Sequence, residues 1–408
     1  MRIAIVGGGP GGLYLAALMK QLDAGHEVTV WERNAPDDTF GFGVVFSDET
    51  LGGIESADTT IYRAMESQFA RWTDIDVAID GRSSTIGGQG FAAMSRKELL
   101  RILQARVAEL GVQVHYRTVA PDSDELRASH DLVVAADGLN SQVRARYADE
   151  FGPSLDPRHN KYIWFGTDLV FEAFQFIVRN TEFGTMQIHG YPYSDQGSTF
   201  IVEMHEDVWR RAGFDRTEDE VFPPGVSDEY AVERVAEIFA DDLGGHRILT
   251  NNSKWLSFTT VRNASWHHDN VVLIGDAAHT THFTIGSGTR LALLDAMALA
   301  TELGAALRAH PGRIDAGLAA YQQRRIAELA DVAAEADASE RWFTEVERYL
   351  GYGARAFAQL LVDRRHLVAR RLPGVYVGAR RLRRTLANGP LGTPVRAVTG
   401  KLRRTRSG

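Results

Sequence analysis

The chain opens with short apolar runs on either side of a glycine-rich segment. Residues 2–6 predict a buried strand, residues 7–12 a glycine loop, and residues 13–22 a helix with an apolar face. Residues 28–31 predict a second strand, which completes a compact strand-helix-strand unit. A glycine loop between a strand and a helix is typical of the first half of a dinucleotide-binding fold.

Two kinds of apolar pattern follow, and they predict two sheets. A helix is predicted over residues 96–109, and apolar runs at residues 113–116, 131–136 and 271–274 predict further strands of the first sheet. A loop and a long helix follow the last of these runs. Alternating or aromatic-rich segments predict a second, mostly antiparallel sheet, which we assign to substrate binding. These segments cover residues 74–79, 162–167, 174–178, 185–189 and 199–204.

The composition fits a soluble globular protein. The 408 residues are 44% hydrophobic and 24% charged, enough for one large domain or two intimately connected domains. No apolar run reaches the roughly 18 residues needed to span a bilayer, so no membrane partner is expected. The absence of cysteine excludes disulfides, thiolate metal sites and cysteine nucleophiles, and no metal site is predicted. Because the first strand follows Met1 directly, we predict no signal peptide and expect a cytoplasmic location.

The net charge of −8 is distributed unevenly. Residues 361–408 contain 13 Lys plus Arg against one acid, Asp363, which leaves −20 on the first 360 residues. This pattern indicates that the basic segment meets something anionic, with a solvated or dimer-facing surface as the alternative. Two arginine pairs in this segment are called the tail pairs, Arg380-Arg381 and Arg383-Arg384.

The glycine loop carries a nucleotide-binding pattern. Gly7, Gly9 and Gly12 form a G-x-G-x-x-G motif, which lets the backbone turn tightly, approach a pyrophosphate and pack helix against strand. Glu32, 20 residues after Gly12, can accept hydrogen bonds from a ribose diol, and Arg33 follows it. The strand before, the helix after and the acid at this distance predict nucleotide binding, with a structural glycine turn as the alternative.

Two further motifs stand at the ends of predicted strands. Asp137-Gly138 follows the strand at residues 131–136, a position where an Asp-Gly pair alone is most often a turn. Gly275-Asp276 follows the strand at residues 271–274, where an aspartate can reach ribityl hydroxyls. The residues that open the long helix present N-terminal amides and a dipole that favour negative charge on a flavin. They include Gly286, Gly288 and Thr289.

Together these three motifs resemble the fingerprints of the class A flavoprotein monooxygenases, the para-hydroxybenzoate hydroxylase-like family, over roughly residues 1–340. The resemblance implies an FAD cofactor, NADH or NADPH as a transient reductant, and O2. It implies that the glycine loop and Glu32 hold the ADP part of FAD. Asp137 would then support the pyrophosphate region and Asp276 the ribityl chain, while Arg96 matches a flavin-contacting position of the family.

The fold class that follows is α/β, with a Rossmann-like FAD-binding domain, a second, mostly antiparallel β-sheet substrate domain, and C-terminal helices. The FAD-binding domain is predicted to be discontinuous, because the chain enters, leaves and re-enters it. It covers residues 1–70, 88–155 and 256–335. The substrate domain is predicted at residues 71–87 and 156–255, followed by a helical, arginine-rich region at 336–408.

Two runs of sequence, residues 40–48 and 282–289, are similar to those of aryl-CoA hydroxylases acting on salicylyl-CoA and 2-aminobenzoyl-CoA. In the second run, His282-Phe283 stands where most of the family has two prolines, and Arg290 follows it in place of the usual asparagine. The 2-aminobenzoyl-CoA type usually carries an additional reductase domain, so its absence favours 5-hydroxylation of salicylyl-CoA to gentisyl-CoA. We therefore expect no nucleic-acid partner, and a homodimer is possible.

Other functions remain as alternatives. The same chemistry can act on 2-aminobenzoyl-CoA, or on a free aromatic or indole compound. A flavin-binding protein without oxygenation, with the basic segment docking another macromolecule, is the third alternative.

His282 is the candidate catalytic residue. It is expected beside the flavin ring, and an ordinary histidine pKa of about 6.5 suits a group that accepts the proton of the ring's ortho hydroxyl. A purely packing role is the alternative. Candidate substrate-binding residues are aromatic or polar side chains near the ring, plus two tail arginines for CoA phosphates, and a core role is the alternative for the aromatic residues. They are Phe42, His189, Tyr191, Phe283, Arg380 and Arg381.

Overall fold

The computed structural model describes residues 1–88, 90–223, 225–283, 288–364 and 366–388. Most of the strands belong to two large sheets. In chain order they are β1 (Arg2–Val6), β2 (Glu27–Trp31), β3 (Gly43–Phe46), β4 (Ala70–Trp72), β5 (Ile75–Ile79), β6 (Arg82–Ile86), β7 (Phe91–Ser95), β8 (Gln113–His115), β9 (Leu132–Ala135), β10 (Pro153–Thr167), β11 (Phe174–Thr181), β12 (Gly184–Pro192), β13 (Ser198–His205), β14 (Ile248–Leu249), β15 (Leu256–Asn263), β16 (His267–His268) and β17 (Val271–Leu273).

The helices cover the sheets and dominate the C-terminal part. They are α1 (Pro10–Leu22), α2 (Asp48–Ala57), α3 (Thr59–Glu66), α4 (Arg96–Glu109), α5 (Ser123–Ser129), α6 (Gln142–Arg146), α7 (Ala148–Phe151), α8 (Glu206–Arg211), α9 (Glu229–Ile238), α10 (Ala240–Leu243), α11 (Gly288–Ala309), α12 (Asp315–Thr344), α13 (Glu347–Leu350), α14 (Ala354–Val362), α15 (Leu367–Arg371) and α16 (Pro373–Asn388). Among the described residues, no helix combines the length and apolar character needed to cross a bilayer.

The first sheet has the strand order β16-β17-β9-β1-β2-β8. Its neighbours pair in parallel except β16, which runs antiparallel to β17. The predicted strand-helix-strand unit is confirmed, and α1 begins at Pro10 rather than residue 13, because proline suits the first turn of a helix. The carboxyl ends of β1, β9 and β17 lie side by side, so the loops that follow them meet at one edge of the sheet.

The second sheet has the order β14-β10-β13-β12-β11-β5-β6, and β15 pairs antiparallel with β10. Apart from the parallel β5–β11 pair, neighbouring strands run antiparallel, as the alternating pattern predicts. One face packs apolar side chains such as Phe200 against Trp209 and Phe239 of the helical layer. We call the opposite face of β10, β12 and β13 the inner face. It carries Tyr162, Trp164, His189, Tyr191, Thr199, Ile201 and Glu203.

The strand β15 ties the second sheet to the returning part of the chain. It pairs with the first half of β10, so residues 256–263 belong to the second sheet in the structure, beyond the boundary predicted at residue 255. The pairing shifts register between Pro157 and Lys161, where β10 leaves β15 and continues beside β13. The long β10 therefore spans both neighbours and starts well before the predicted strand at residues 162–167.

A third, small sheet and the C-terminal helices close the molecule. The order of the small sheet is β3-β7-β4, and it lies against the second sheet through Tyr191, which packs with Trp72 and Ala93. The C-terminal helices bury Trp342 and Phe343 against the second sheet, where Phe343 stacks on Phe176 at 5.5 Å between ring centroids. The predicted fold class is confirmed.

Candidate functional site

The glycine loop combines two glycines that the fold requires with one that it does not. A Cβ on Gly7, whose φ is +109°, would lie 2.3 Å from the Ala136 carbonyl oxygen, and a Cβ on Gly12 would lie 2.2 Å from the Gly7 carbonyl oxygen. At Gly9, no atom lies within 4 Å of the Cβ position. The loop therefore leaves open space at Gly9, directly before the N-terminus of α1, where an anionic group is favoured.

Glu32 lies at the end of β2 and faces this loop. Its carboxylate oxygens accept hydrogen bonds from the Gly8 and Asn34 amides, both at 2.8 Å. These bonds orient the carboxylate and leave it lone pairs for a further donor. Arg33, next to it, is exposed.

The Asp137 carboxylate caps the start of α6. Its Oδ2 accepts from the Gln142 amide at 2.8 Å, while its Oδ1 is buried with no hydrogen-bond partner among the described residues. Arg144 donates to the Ala277 carbonyl at 3.0 Å, which ties the Asp137 loop to the loop that carries Asp276. An unpaired buried acceptor here is a position where a bound group with a donor would relieve a desolvation cost.

Asp276 follows β17 and keeps solvent-accessible surface. Burial within the protein raises the pKa of its carboxyl, against the opposing effect of His279 and Arg96. Arg96 opens α4 and lies over the Trp164 ring at 5.9 Å. Burial lowers the pKa of the Arg96 guanidinium and raises that of Tyr162 to about 12, and both groups interact electrostatically with Asp276, so the three lie close together.

The loop at Gly275 is fixed by a buried carboxylate that our sequence-based site did not include. Asp295 Oδ2 accepts from the Gly275 amide and from His279 Nε2, both at 2.8 Å, and its Oδ1 accepts from Arg325 Nε at 2.7 Å. A Cβ on Gly288 would lie 4.0 Å from Asp276 Oδ1, so α11 starts beside Asp276, and Thr289 follows in its first turn. Gly286 lies outside the described residues.

These features fit FAD. Open space at Gly9 suits a pyrophosphate, the oriented Glu32 carboxylate suits a ribose diol, and the accessible Asp276 carboxylate suits a polyol chain. The unpaired Asp137 oxygen adds one more acceptor on the same edge of the sheet.

Aromatic side chains cluster on and around the inner face. Phe283 packs on Tyr162 at 4.7 Å between centroids and meets His189 edge-on at 5.7 Å. Phe42 lies over Gly166, where a Cβ would come within 2.7 Å of its ring. The Tyr191 hydroxyl donates to the Gly43 carbonyl at 3.1 Å, so Tyr191 links the inner face to β3. The structure thus places the four non-tail candidates for substrate binding around one region.

A buried carboxylate on the inner face was missed by sequence reasoning. Glu203 is 0% exposed, and its Oε2 lies 2.8 Å from His189 Nε2 while its Oε1 accepts from Asn160 Nδ2 at 2.7 Å. Burial alone would raise its pKa, but the His189 hydrogen bond and nearby His282 hold the pKa of Glu203 below its ordinary value. An acid among apolar residues at 198–205 was the available signal, because such a residue needs a partner on a neighbouring strand.

His282 lies at the other end of this cluster. Its Nε2 is 3.7 Å from Glu203 Oε1, and its ring stacks on Phe283 at 4.5 Å and meets Phe258 at 5.0 Å. Burial lowers the pKa of His282 to about 4, although Glu203 acts in the opposite direction. His282 also lines a mostly apolar cavity of about 280 Å³ between β15, the loop at 278–282 and α12.

The tail pairs are only partly described. Arg380 forms an ion pair with Asp363 at 3.1 Å and donates to the Tyr376 hydroxyl at 3.1 Å. Arg381 is exposed. Both tail pairs lie on α16, but the side chains of the second pair lie outside the described part of the chain. The role of the tail in binding is a proposal.

Comparison with known proteins gives the family. The family model described as FAD binding domain matches residues 1–336. A salicyloyl-CoA 5-hydroxylase from a Streptomyces species is 43% identical over 350 residues, which cover 86% of this chain and 66% of that protein, just under two thirds of its length. A 3-hydroxy-4-methyl-anthranilyl-[aryl-carrier protein] 5-monooxygenase from Streptosporangium sibiricum is 38% identical, covering 85% of this chain and 90% of that protein.

Solved structures agree on the fold. The tetrameric form of 2-methyl-3-hydroxypyridine-5-carboxylic acid oxygenase superimposes with a TM-score of 0.65 at 19% identity, covering 84% of this chain and 92% of that one. P. aeruginosa PqsL in complex with 2-aminobenzoylacetate gives a TM-score of 0.65 at 21% identity, covering 86% of this chain and 98% of that one. With the family match and the 38% identical relative, the chain belongs to the FAD-dependent aromatic monooxygenases of the para-hydroxybenzoate hydroxylase-like class.

Proposed function

We propose that this enzyme hydroxylates an aromatic acyl thioester, with salicylyl-CoA as the substrate and the ring carbon para to its hydroxyl as the position attacked. Two relatives support the substrate class, because the names of both specify a thioester, one on CoA and one on a carrier protein. Both names also specify position 5 of the ring. The product would be gentisyl-CoA.

The charge of the inner face carries this proposal. Between β11 and β13, the described residues of that face include no lysine or arginine, and the charged side chain there is the buried Glu203. A free aromatic acid bound beside β12 and β13 would bring its carboxylate toward Glu203, and the nearest arginines, Arg96 over Trp164 and Arg158 near His282, lie on other elements. A thioester carbonyl carries no charge, so it suits this surface better.

We propose that FAD lies along the edge where the three loops meet. Gly9 would face the pyrophosphate, Glu32 the ribose, and Asp276 the ribityl chain, with Arg96 beside the ring system. The bound flavin, reduced by NADH or NADPH, supplies the activation of O2 and the transfer of one oxygen atom. The protein positions the substrate ring, excludes water and activates the ring hydroxyl.

Activation of the ring requires a proton acceptor near the hydroxyl. His282 is the acceptor that the sequence predicts, and we propose that the acceptor lies within the cluster that His282 forms with Glu203 and His189. Removing the hydroxyl proton raises the electron density at the para carbon, which makes that carbon a better nucleophile. The aromatic side chains around Phe283 would hold the ring and keep out water.

The test compares substrates that differ in one feature each. Purified holoenzyme is supplied with NADH, O2 and salicylyl-CoA, 2-aminobenzoyl-CoA, benzoyl-CoA or free salicylate, and both NADH consumption and hydroxylated product are measured. We expect one product per NADH with salicylyl-CoA, and no product with benzoyl-CoA, which lacks an activating group. Coupled turnover of free salicylate at the rate of the thioester would overturn the thioester proposal. If only 2-aminobenzoyl-CoA is turned over efficiently, the substrate carries an amino group instead of the proposed hydroxyl.

A further inference from the structure

Glu203 and His189 form an acid-histidine pair on the inner face. We propose that this pair is the proton-accepting unit for the ring hydroxyl, with His189 receiving the proton and Glu203 acting as the positioning residue. The inference rests on the proposed function, because it assumes a substrate with an ionisable ring hydroxyl. It assigns the task to His189 rather than to His282.

The geometry fixes the tautomer of His189. Its Nε2 lies 2.8 Å from the Glu203 carboxylate, so Nε2 carries the hydrogen and donates it, and Nδ1 presents a lone pair. Nδ1 is buried and has no hydrogen-bond partner within the described ranges. The side chain is 1% exposed, so leaving this acceptor unpaired costs stability unless a bound group supplies a donor.

The surroundings of His189 match an aromatic ligand. Three phenylalanine rings contact the imidazole at their edges or faces, Phe176 at 5.3 Å, Phe283 at 5.7 Å and Phe343 at 4.8 Å between centroids. Phe283 also packs against Tyr162, which interacts electrostatically with Asp276. We therefore place the substrate ring beside Phe283, between Asp276 and the imidazole.

Glu203 supplies what His189 needs to hold a proton. Asn160 Nδ2, at 2.7 Å, fixes the carboxylate, and the direct bond to His189 places the negative charge beside the imidazole. An imidazolium formed there is compensated by the carboxylate, whereas an isolated buried cation would not be. His282 lies 3.7 Å from the same carboxylate without that direct bond.

Other titratable and charged groups act on this pair from the elements around it. Tyr162 of β10, His282 in the loop after β17 and Glu340 of α12 interact with Glu203, and Arg158 of β10 acts on His282 and Glu340. Burial raises the pKa of Glu340, while Arg158 opposes that effect. Because several charges surround the pair, the ionisation of the bound ligand is the most direct measure of its effect.

The proton balance is simple. The substrate O–H bond breaks, a bond forms between that hydrogen and His189 Nδ1, and the electron pair stays on the ring oxygen. After the oxygen atom that O2 and the bound flavin supply has formed the new C–O bond, the attacked ring carbon releases its hydrogen as a proton to water, and the ring oxygen recovers the proton held by His189. No additional oxidant or reductant is needed for these steps.

The experiment measures the ionised fraction of bound salicylyl-CoA. Holoenzyme without NADH is titrated with the thioester between pH 5 and pH 9, and the absorbance of the phenolate is read as a difference spectrum against bound benzoyl-CoA. The variants are Glu203→Gln, His189→Asn and His282→Asn. Asp242→Asn is the matched control, because Asp242 forms an ion pair with Arg179 at 2.8 Å in the same domain, away from the inner face.

We expect the wild type and Asp242→Asn to hold the hydroxyl largely ionised at pH 7. Glu203→Gln and His189→Asn should each lower the ionised-to-neutral ratio at least tenfold. Ionisation that persists in Glu203→Gln, or that is lost in His282→Asn but kept in His189→Asn, would overturn the inference. If Glu203→Gln does not retain FAD, His189→Asn decides the matter by the same reading. If the wild-type enzyme hydroxylates no substrate whose ring carries a hydroxyl, the proposed function is refuted, and so is the role of the pair.

Discussion

Replacing Gly9 and Gly12 separately by alanine should divide cofactor binding from folding. Gly9 has φ −73° and ψ 178°, a conformation open to alanine, and nothing lies within 4 Å of its Cβ position. Losing glycine as a helix N-cap costs a few tenths to about 1 kcal/mol, and a less flexible unfolded chain returns about 0.4–1 kcal/mol. The apoprotein's free energy of unfolding should therefore stay within about 1 kcal/mol of the wild type.

The bound state should respond differently. A methyl group at Gly9 enters the space assigned to the pyrophosphate, and overpacking of this kind costs about 1–3 kcal/mol. FAD should bind about 5- to 150-fold more weakly. Gly12→Ala instead puts a Cβ 2.2 Å from the Gly7 carbonyl oxygen, so it should lower the unfolding free energy itself by about 1–3 kcal/mol or more.

Two measurements separate these outcomes. The FAD dissociation constant is obtained from flavin fluorescence, and apoprotein stability from the urea midpoint at an unchanged m-value. The assignment of the pyrophosphate to Gly9 is refuted if Gly9→Ala binds FAD within twofold of the wild type. It is also refuted if that variant loses as much apoprotein stability as Gly12→Ala.

Three further predictions concern charged groups. Glu32→Ala should weaken FAD binding by about 1–3 kcal/mol, the scale of lost charge-assisted hydrogen bonds. Equilibrium dialysis measures the affinity, and an unchanged value would contradict the assignment of Glu32 to the ribose. Charge reversal of both tail pairs should raise the KM for salicylyl-CoA, more at low salt than at high salt. If steady-state kinetics show an unchanged KM, the tail belongs to the solvated surface or to an oligomer interface instead. Because burial lowers the pKa of His282 to about 4, the unfolded chain binds its proton below about pH 6.5 while the folded chain does not. Its presence should cost stability progressively between about pH 6.5 and pH 4, by up to roughly 3 kcal/mol, and His282→Asn should flatten that part of the urea-midpoint profile.

The parts of the fold that sequence predicts are those that local patterns determine. The glycine loop, the first strands and the helix at residues 96–109 need only neighbouring residues to be recognised, and the structure has that helix at the same bounds. Strand partners depend on distant residues. The pairing of β15 with β10 joins residues about a hundred positions apart. The sequence of β15 alone does not distinguish this strand from a strand of the first sheet.

The same distinction applies to the site. The loops that carry Gly9, Glu32 and Asp276 stand at strand ends, so the parallel sheet brings them together as a direct consequence of its topology. Asp295 and Arg325 support one of these loops from two helices, at a distance of 2.7 Å from each other and 30 positions apart in sequence. Such a pair is visible only once the packing of α11 on α12 is known.

Glu203 shows what a polar residue inside a strand pattern can signify. Its strand is otherwise buried and largely apolar, and a lone carboxylate there would cost several kcal/mol without partners. The register of β12 on β13 sets His189 opposite Ile201, two residues before Glu203 and on the same face, so the partner is diagonal rather than opposite. This face carries a buried carboxylate and, between β11 and β13, no lysine or arginine among the described residues. We therefore expect it to favour a neutral acyl group with an acidic hydroxyl over a carboxylate. The thioester proposal and the proton-accepting pair therefore depend on the same carboxylate, and Glu203→Gln tests both at once: it should remove ionisation of the bound hydroxyl and reduce the preference of the enzyme for the thioester over free salicylate.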